Sequence, residues 1–162
     1  MSVGIFYGTT TGVTEEVAQI VSDKIEGSEP FDVANGIDNI NDFDFLILCA
    51  STWGLGDIQD DWMAVIDELP RFNGKPIALL GTGDAVAFAD TFVDGLRLLY
   101  DKCKKAGANI VGMVPTDGYD FVASIAIIDG KFLGLPIDHM NEPEKTEERI
   151  ENWLKTLDKY IH

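Results

Sequence analysis

A chain of 162 residues with 46% hydrophobic content, and no apolar run near the ~20 residues of a membrane span, predicts one domain over 1–162 and excludes a transmembrane helix. Its 28 acidic residues against 12 basic give a net charge of −16, which repels nucleic acid and anionic membrane and attracts basic protein surfaces. Two cysteines outside any C-x-x-C and two histidines leave no material for a zinc site, a redox dithiol or a Ser-His-Asp triad, so redox or group chemistry falls to a bound cofactor.

No basic segment precedes the first apolar stretch, which predicts a cytoplasmic protein. Ser2 to Tyr7 reads as a buried strand. The run Gly8-Thr9-Thr10-Thr11-Gly12-Val13-Thr14 follows and opens a helix carried by Val13, Val17, Ile20, Val21 and Ile25. Hydroxyls, glycines and a helix start form a phosphate cradle, because a helix N-terminus adds unpaired N–H groups and a positive dipole end. The loop has no Lys or Arg and no Gly-Lys-Ser/Thr ending, and it lacks the Gly-x-Gly-x-x-Gly spacing. Neutral donors suit a monophosphate that is kept rather than transferred. A Thr-rich capped turn is the plainer alternative.

Phe31 to Ala34 reads as a second strand, and Phe45 to Ala50 as a central strand buried on both faces, with Cys49 a buried thiol inside it. Ser51-Thr52-Trp53-Gly54-Leu55-Gly56-Asp57 comes next, placing a large ring between flexible residues. Such a Trp can stack on a planar ligand or fold back into the core. Ile58, Trp62, Val65, Ile66 and Leu69 make a helical stripe that Pro70 stops, and Pro76 to Gly81 is the fourth strand. Thr82-Gly83-Asp84-Ala85-Val86-Ala87-Phe88-Ala89-Asp90 supplies backbone N–H groups, carboxylates and a second ring. Phe88 there is either a ligand wall or loop packing.

Phe92, Leu96, Leu99, Tyr100 and Cys103 form a third helix closed by Gly107, and Asn109 to Val114 is the fifth strand. An insertion follows, with a hairpin of Phe121–Ile128 and Lys131–Leu135 turned at Asp129-Gly130. Thr146, with Glu147 and Glu148, is expected to cap a last helix whose apolar face is Ile150, Trp153, Leu154, Leu157 and Ile161. Alternating strands and helices predict a doubly wound α/β sheet, whose ligands bind beyond the carboxyl ends of the strands. The loops at 8–14, 51–57 and 82–92 sit at those ends. Together they describe a site for a flat ring with a phosphate tail.

These loops carry a family resemblance. Thr9 to Thr14, Thr52-Trp53-Gly54 with Asp60-Asp61-Trp62, Gly81 to Asp84, Ala89-Asp90-Thr91-Phe92, Thr116-Asp117-Gly118-Tyr119, Asp129 to Leu135 and Thr146-Glu147-Glu148-Arg149 occur in the order found in long-chain flavodoxins, and the chain resembles them over essentially its whole length. The resemblance implies a five-stranded parallel sheet of order 2-1-3-4-5, an insertion at the fifth strand, and tightly bound FMN. It assigns the phosphate to Thr9, Thr10, Thr11, Gly12, Val13 and Thr14. It implies further cofactor-binding residues in Ser51, Thr52, Trp53, Gly54, Leu55, Gly56, Thr82, Gly83, Asp84, Phe88, Ala89, Asp90 and Phe92, with Trp53 on one face of the ring and Phe88 on the other. Phe88 stands where the family usually has Tyr, and His139 where it is usually acidic; a solvated loop histidine is expected there. The resemblance further implies a low-potential one-electron carrier, a monomer that is not an enzyme. Its expected partners have basic docking surfaces: flavodoxin or ferredoxin reductases and 2-oxoacid oxidoreductases. Two alternatives have the same fold. A quinone reductase needs an open pocket over the ring, which Trp53 and Phe88 would cover. A phosphoacceptor domain needs acidic residues where Gly8-Thr9 and Ser51-Thr52 stand.

Overall fold

The computed structural model describes residues 2–162. In chain order the elements are β1 (Val3–Tyr7), α1 (Val13–Asp23), β2 (Glu29–Asp32), β3 (Phe45–Trp53), β4 (Asp57–Ile58), α2 (Asp60–Val65), β5 (Pro76–Thr82), α3 (Gly95–Lys105), β6 (Asn109–Val111), β7 (Val114–Pro115), β8 (Ile127–Ile128), β9 (Lys131–Phe132), β10 (Leu135–Ile137), α4 (Pro143–Thr156) and α5 (Asp158–Ile161).

The period-2 geometry of strands splits the apolar run of β3 between two cores. Phe45, Ile47 and Cys49 pack with Val17, Val21, Ile150 and Trp153 on one face of the sheet. Leu46, Leu48 and Ala50 pack with Trp62, Leu96 and Leu99 on the other. Each fully buried Leu, Ile or Phe contributes roughly 1.5–3 kcal/mol. Cys49 and Cys103 are buried free thiols, and burial pushes both up to about 12, so neither is a nucleophile at neutral pH.

The parallel strands lie in the order β2-β1-β3-β5, and the position beside β5 is shared by two short segments. β6 pairs with the first half of β5, Pro76 opposite Asn109. β10 pairs with the second half, Leu135 opposite Leu80. The expected fifth strand, Asn109 to Val114, therefore ends at Val111. Gly112 turns the chain away at φ 78, where its carbonyl accepts from Trp153 Nε1 at 2.8 Å. The chain returns past Gly134, which lies against the Leu79 carbonyl so closely that a Cβ would collide with it. Between these points β7, β9 and β8 form a small antiparallel sheet. The expected hairpin turns at Asp129-Gly130 as read, but its strands are only β8 and β9; residues 121–126 are not strand.

Two other boundaries differ from expectation. β2 starts at Glu29 and ends at Asp32, whose carboxylate accepts from Ala34 N and caps a single 3-10 turn over Val33–Asn35. α4 begins at Pro143, favoured at a helix start, so Thr146 lies inside the helix and caps nothing. Thr146 is buried, and its Oγ1 pairs with His139 Nδ1 at 2.8 Å. His139 is consequently half-buried between α4 and α1, with Nε2 3.4 Å from Glu16, and is not the solvated histidine expected.

Candidate functional site

β1, β3 and β5 end side by side, so their following loops converge on one edge of the sheet. In the first loop Thr9 Oγ1 accepts from Gly12 N at 2.9 Å, closing a tight turn. Gly12 takes φ 91, a conformation open to glycine, and its carbonyl accepts the first helical N–H of α1 from Glu16. No side chain caps α1, so its leading N–H groups keep their hydrogen-bonding capacity. Thr14 is buried and its hydroxyl pairs with that of Thr82 at 2.8 Å, joining the first loop to the end of β5.

The second loop is a hairpin. β3 runs on to Trp53 and pairs with β4, Trp53 opposite Asp57. Gly54 at φ 56 and Gly56 at φ 102 make the turn, with Gly56 N donating to Trp53 O. Trp53 does not fold into the core: it is 40% exposed, and its Nε1 donates to Ser51 Oγ at 2.8 Å. Thr52 Oγ1 accepts from Gly95 N and ties the hairpin to the start of α3.

The third loop is held by carboxylates. Asp84 Oδ1 accepts from Val86 N, Ala87 N and Asn141 Nδ2. Burial alone would raise the Asp84 pKa, but these donors outweigh it and hold the carboxyl below the usual range. Buried Asp138, just past β10, accepts from Ala85 N and from Asn141 N. Phe88 stands 48% exposed on the loop so braced.

One cleft joins the three loops. Thr9, Thr10, Thr11, Val13, Thr14, Ser51, Thr52, Trp53, Thr82, Gly83, Asp84 and Phe88 line it, together with Met140. No Lys, Arg or His is among its described lining residues. Gly12, Gly54 and Gly56 shape turns at its margin, and Leu55 projects from the hairpin tip, 93% exposed. Ala89 and Asp90 lie beyond it in a 3-10 turn, where the Ala89 carbonyl accepts from Val122 N and Ala123 N. Phe92 is absent from the lining. It is 1% exposed and stacks on Phe121 at 5.7 Å, with Phe132 edge-on at 6.0 Å. The insertion supplies those rings and draws Phe92 into the core.

A sequence profile of the flavodoxin family matches residues 5–153. The chain belongs to the flavodoxin family. Flavodoxin 1 of Azotobacter vinelandii is 45% identical over 165 residues, spanning 96% of this chain and 94% of that protein. A flavodoxin of a Picosynechococcus species is 47% identical over 161 residues, spanning 96% of this chain and 95% of the relative. The crystal structure of Fusobacterium nucleatum flavodoxin bound to flavin mononucleotide superimposes with a TM-score of 0.93 at 35% identity, covering 99% of each chain. The parallel order seen here, with an inserted segment dividing its last position, is thus the flavodoxin arrangement.

Sequence reasoning missed Met140, an exposed apolar side chain in the loop after β10. It also missed the Asp138 and Asn141 bracing. These residues carry no local signal: Asp138 and Asn141 act on a loop more than fifty residues away, and Met140 reaches the cleft only through the fold.

Proposed function

We propose that this protein binds FMN in the cleft between the three loops and serves as a low-potential one-electron carrier. The carrying observation is the pairing of two half-exposed rings, Trp53 and Phe88, with a hydroxyl cradle that contains no cation. The donor set fits the group. Thr9, Thr10, Thr11 and Thr14, with the backbone of Gly12 and Val13 at the α1 start, suit a phosphate dianion held by neutral donors. Trp53 and Phe88 suit the two faces of a tricyclic ring, and Phe88 stacks without the phenol hydroxyl that a Tyr would add.

Bound FMN supplies the one-electron chemistry. The chain sets its energetics. Lining residues without a cation, in a chain of net charge −16, offer no counter-charge to an added electron, which drives the potentials down. Gly54 lets the peptide after Trp53 change orientation at low cost. Trp53 and Phe88, placed against the two faces of a bound ring, would shield it from water and leave little room for a second substrate.

Trp53, Phe88 and Met140 are exposed where they line the cleft and Leu55 is exposed on the hairpin beside Trp53, and they offer an apolar contact zone. Asp57, Asp60 and Asp90 are exposed nearby in sequence and favour basic partners, such as flavodoxin or ferredoxin reductases or 2-oxoacid oxidoreductases. No helix among the described residues is long and apolar enough to cross a membrane. A monomer working in the cytoplasm is the form we assign. The test is calorimetric titration of the apoprotein with FMN, followed by a spectroscopic redox titration. Tight binding of one FMN and two separated one-electron steps are expected. No binding, or steady-state NAD(P)H–quinone turnover, overturns the assignment.

A further inference from the structure

Gln59 lies between β4 and α2, is 1% exposed, and does not line the cleft. Its Oε1 accepts from Asp61 N at 3.0 Å and Trp62 N at 3.3 Å, capping α2. Two N–H groups can be met only by an acceptor, so this end of the amide is the oxygen. The nitrogen must face the other way. There Nε2 donates to Asp61 Oδ2 at 2.8 Å and to Thr10 Oγ1 at 3.2 Å. All of its hydrogens are used.

The contact with Thr10 has a chemical consequence. A threonine hydroxyl has one hydrogen. Because its oxygen accepts from Gln59, that hydrogen is left for an acceptor on the open side, and Thr10 is exposed on the cleft. Gly8 makes the arrangement possible: a Cβ there would collide with Gln59 Oε1 and the Trp62 ring. Trp62 in turn is fixed by Nε1 donating to Cys49 O at 2.7 Å, and Gly8 N donates to the same carbonyl.

We infer that Gln59 is a positioning residue for phosphate: its side-chain amide fixes the Thr10 hydroxyl as an outward donor in a cradle that has no cation. This rests on the FMN assignment above. Glutamate at 59 keeps the acceptor that caps α2 but loses the donor. It also draws the Thr10 proton toward itself and adds a negative charge beside the loop. Methionine at 59 removes both functions.

The experiment titrates apoprotein with FMN and, separately, with riboflavin, for wild type, Gln59→Glu, Gln59→Met, Thr10→Val and the Gln59→Glu/Thr10→Val double variant. Gln59→Glu is expected to lose about ten- to hundredfold in FMN affinity, the scale of one hydrogen bond to a charged group, and to keep riboflavin affinity within about twofold. In the Thr10→Val background the Gln59→Glu loss shrinks, because the hydroxyl it acts through is gone. Denaturant unfolding is expected to show a loss of stability in both variants: Gln59→Glu keeps the cap but buries a second carboxylate against Asp61, and Gln59→Met loses the cap. Equal losses for FMN and riboflavin, or undiminished FMN affinity in Gln59→Glu, overturn the inference while leaving the FMN assignment intact. A wild-type protein that binds neither flavin overturns both.

Discussion

Replacing each hairpin glycine by alanine separates backbone strain from collision. Gly54 sits at φ 56, inside the left-handed region, and an added Cβ would meet nothing nearer than Asp57 Oδ2 at 3.6 Å. Gly54→Ala therefore costs only the left-handed penalty of about 1 kcal/mol. Gly56 sits at φ 102, and its Cβ would approach Asp94 Oδ2 to 3.0 Å and Asp94 Cβ to 3.2 Å. Asp94 is itself pinned, accepting from Ile125 N at 2.8 Å, so the obstacle cannot swing aside. Strain and overlap together put Gly56→Ala at about 2–4 kcal/mol. Denaturant unfolding of the two apoproteins measures both values. In the FMN-loaded protein the Gly54 change also narrows the separation of the two one-electron potentials. An excess strain of about 1 kcal/mol in the rearranged peptide over the orientation seen here corresponds to about 40 mV for one electron. A Gly56 variant as mild as the Gly54 variant refutes the collision. An unchanged separation in Gly54→Ala refutes the redox part for that glycine.

Phe92→Ala removes a buried ring from the contact between the segment ahead of α3 and the insertion, and is expected to cost about 3–5 kcal/mol in denaturant unfolding. Trp53→Ala and Phe88→Ala act in the opposite way, weakening FMN and riboflavin alike by about five- to hundredfold in calorimetric titration and changing apoprotein stability little. Asp84 and Asp94 give pH dependences of opposite sign. The Asp84 carboxyl is held below its ordinary pKa, so the stability it contributes is present above the unfolded-state pKa and is lost as pH falls through the folded value; Asp84→Asn flattens the acid limb of a stability–pH profile. Asp94 is raised by burial against the lowering effect of Ile125 N and Ser124, so its contribution is full below the unfolded-state pKa and declines as pH rises through the folded value. Asp94→Asn is thus expected to be more favourable relative to wild type at pH 7 than at pH 3, and a pH-independent difference overturns that account.

The sheet was legible because its signals are local. A short unbroken apolar run such as Phe45 to Ala50 fits a strand covered on both faces, and three loops of unusual composition fell at strand ends on one edge. The tight turn of the first loop was legible because Thr9 and Gly12 act within three residues of each other, whereas the pairing of Thr14 with Thr82 joins distant segments. Thr146 misled because Thr followed by two glutamates is a capping pattern, and its true partner, His139, is fixed by packing between helices. Gln59 gave a faint sign, as an amide just ahead of a short helix, but its link to Thr10 spans the fold.

Periodicity, turn chemistry and charge, which depend on near neighbours, determined the layered α/β class, the three loops that meet at one edge of the sheet and the strongly acidic character of the chain. The tertiary structure decided matters of contact between distant segments. It divided the last strand position between β6 and β10, because Gly112 and Gly134 let the chain leave and rejoin β5. It turned Phe92 inward and left Phe88 facing the cleft, although only four positions separate them. The reason is that Phe121 and Phe132, brought in by the insertion, offer one ring an apolar bed, while Asp84 and Asp138 hold the other on a braced loop at the surface.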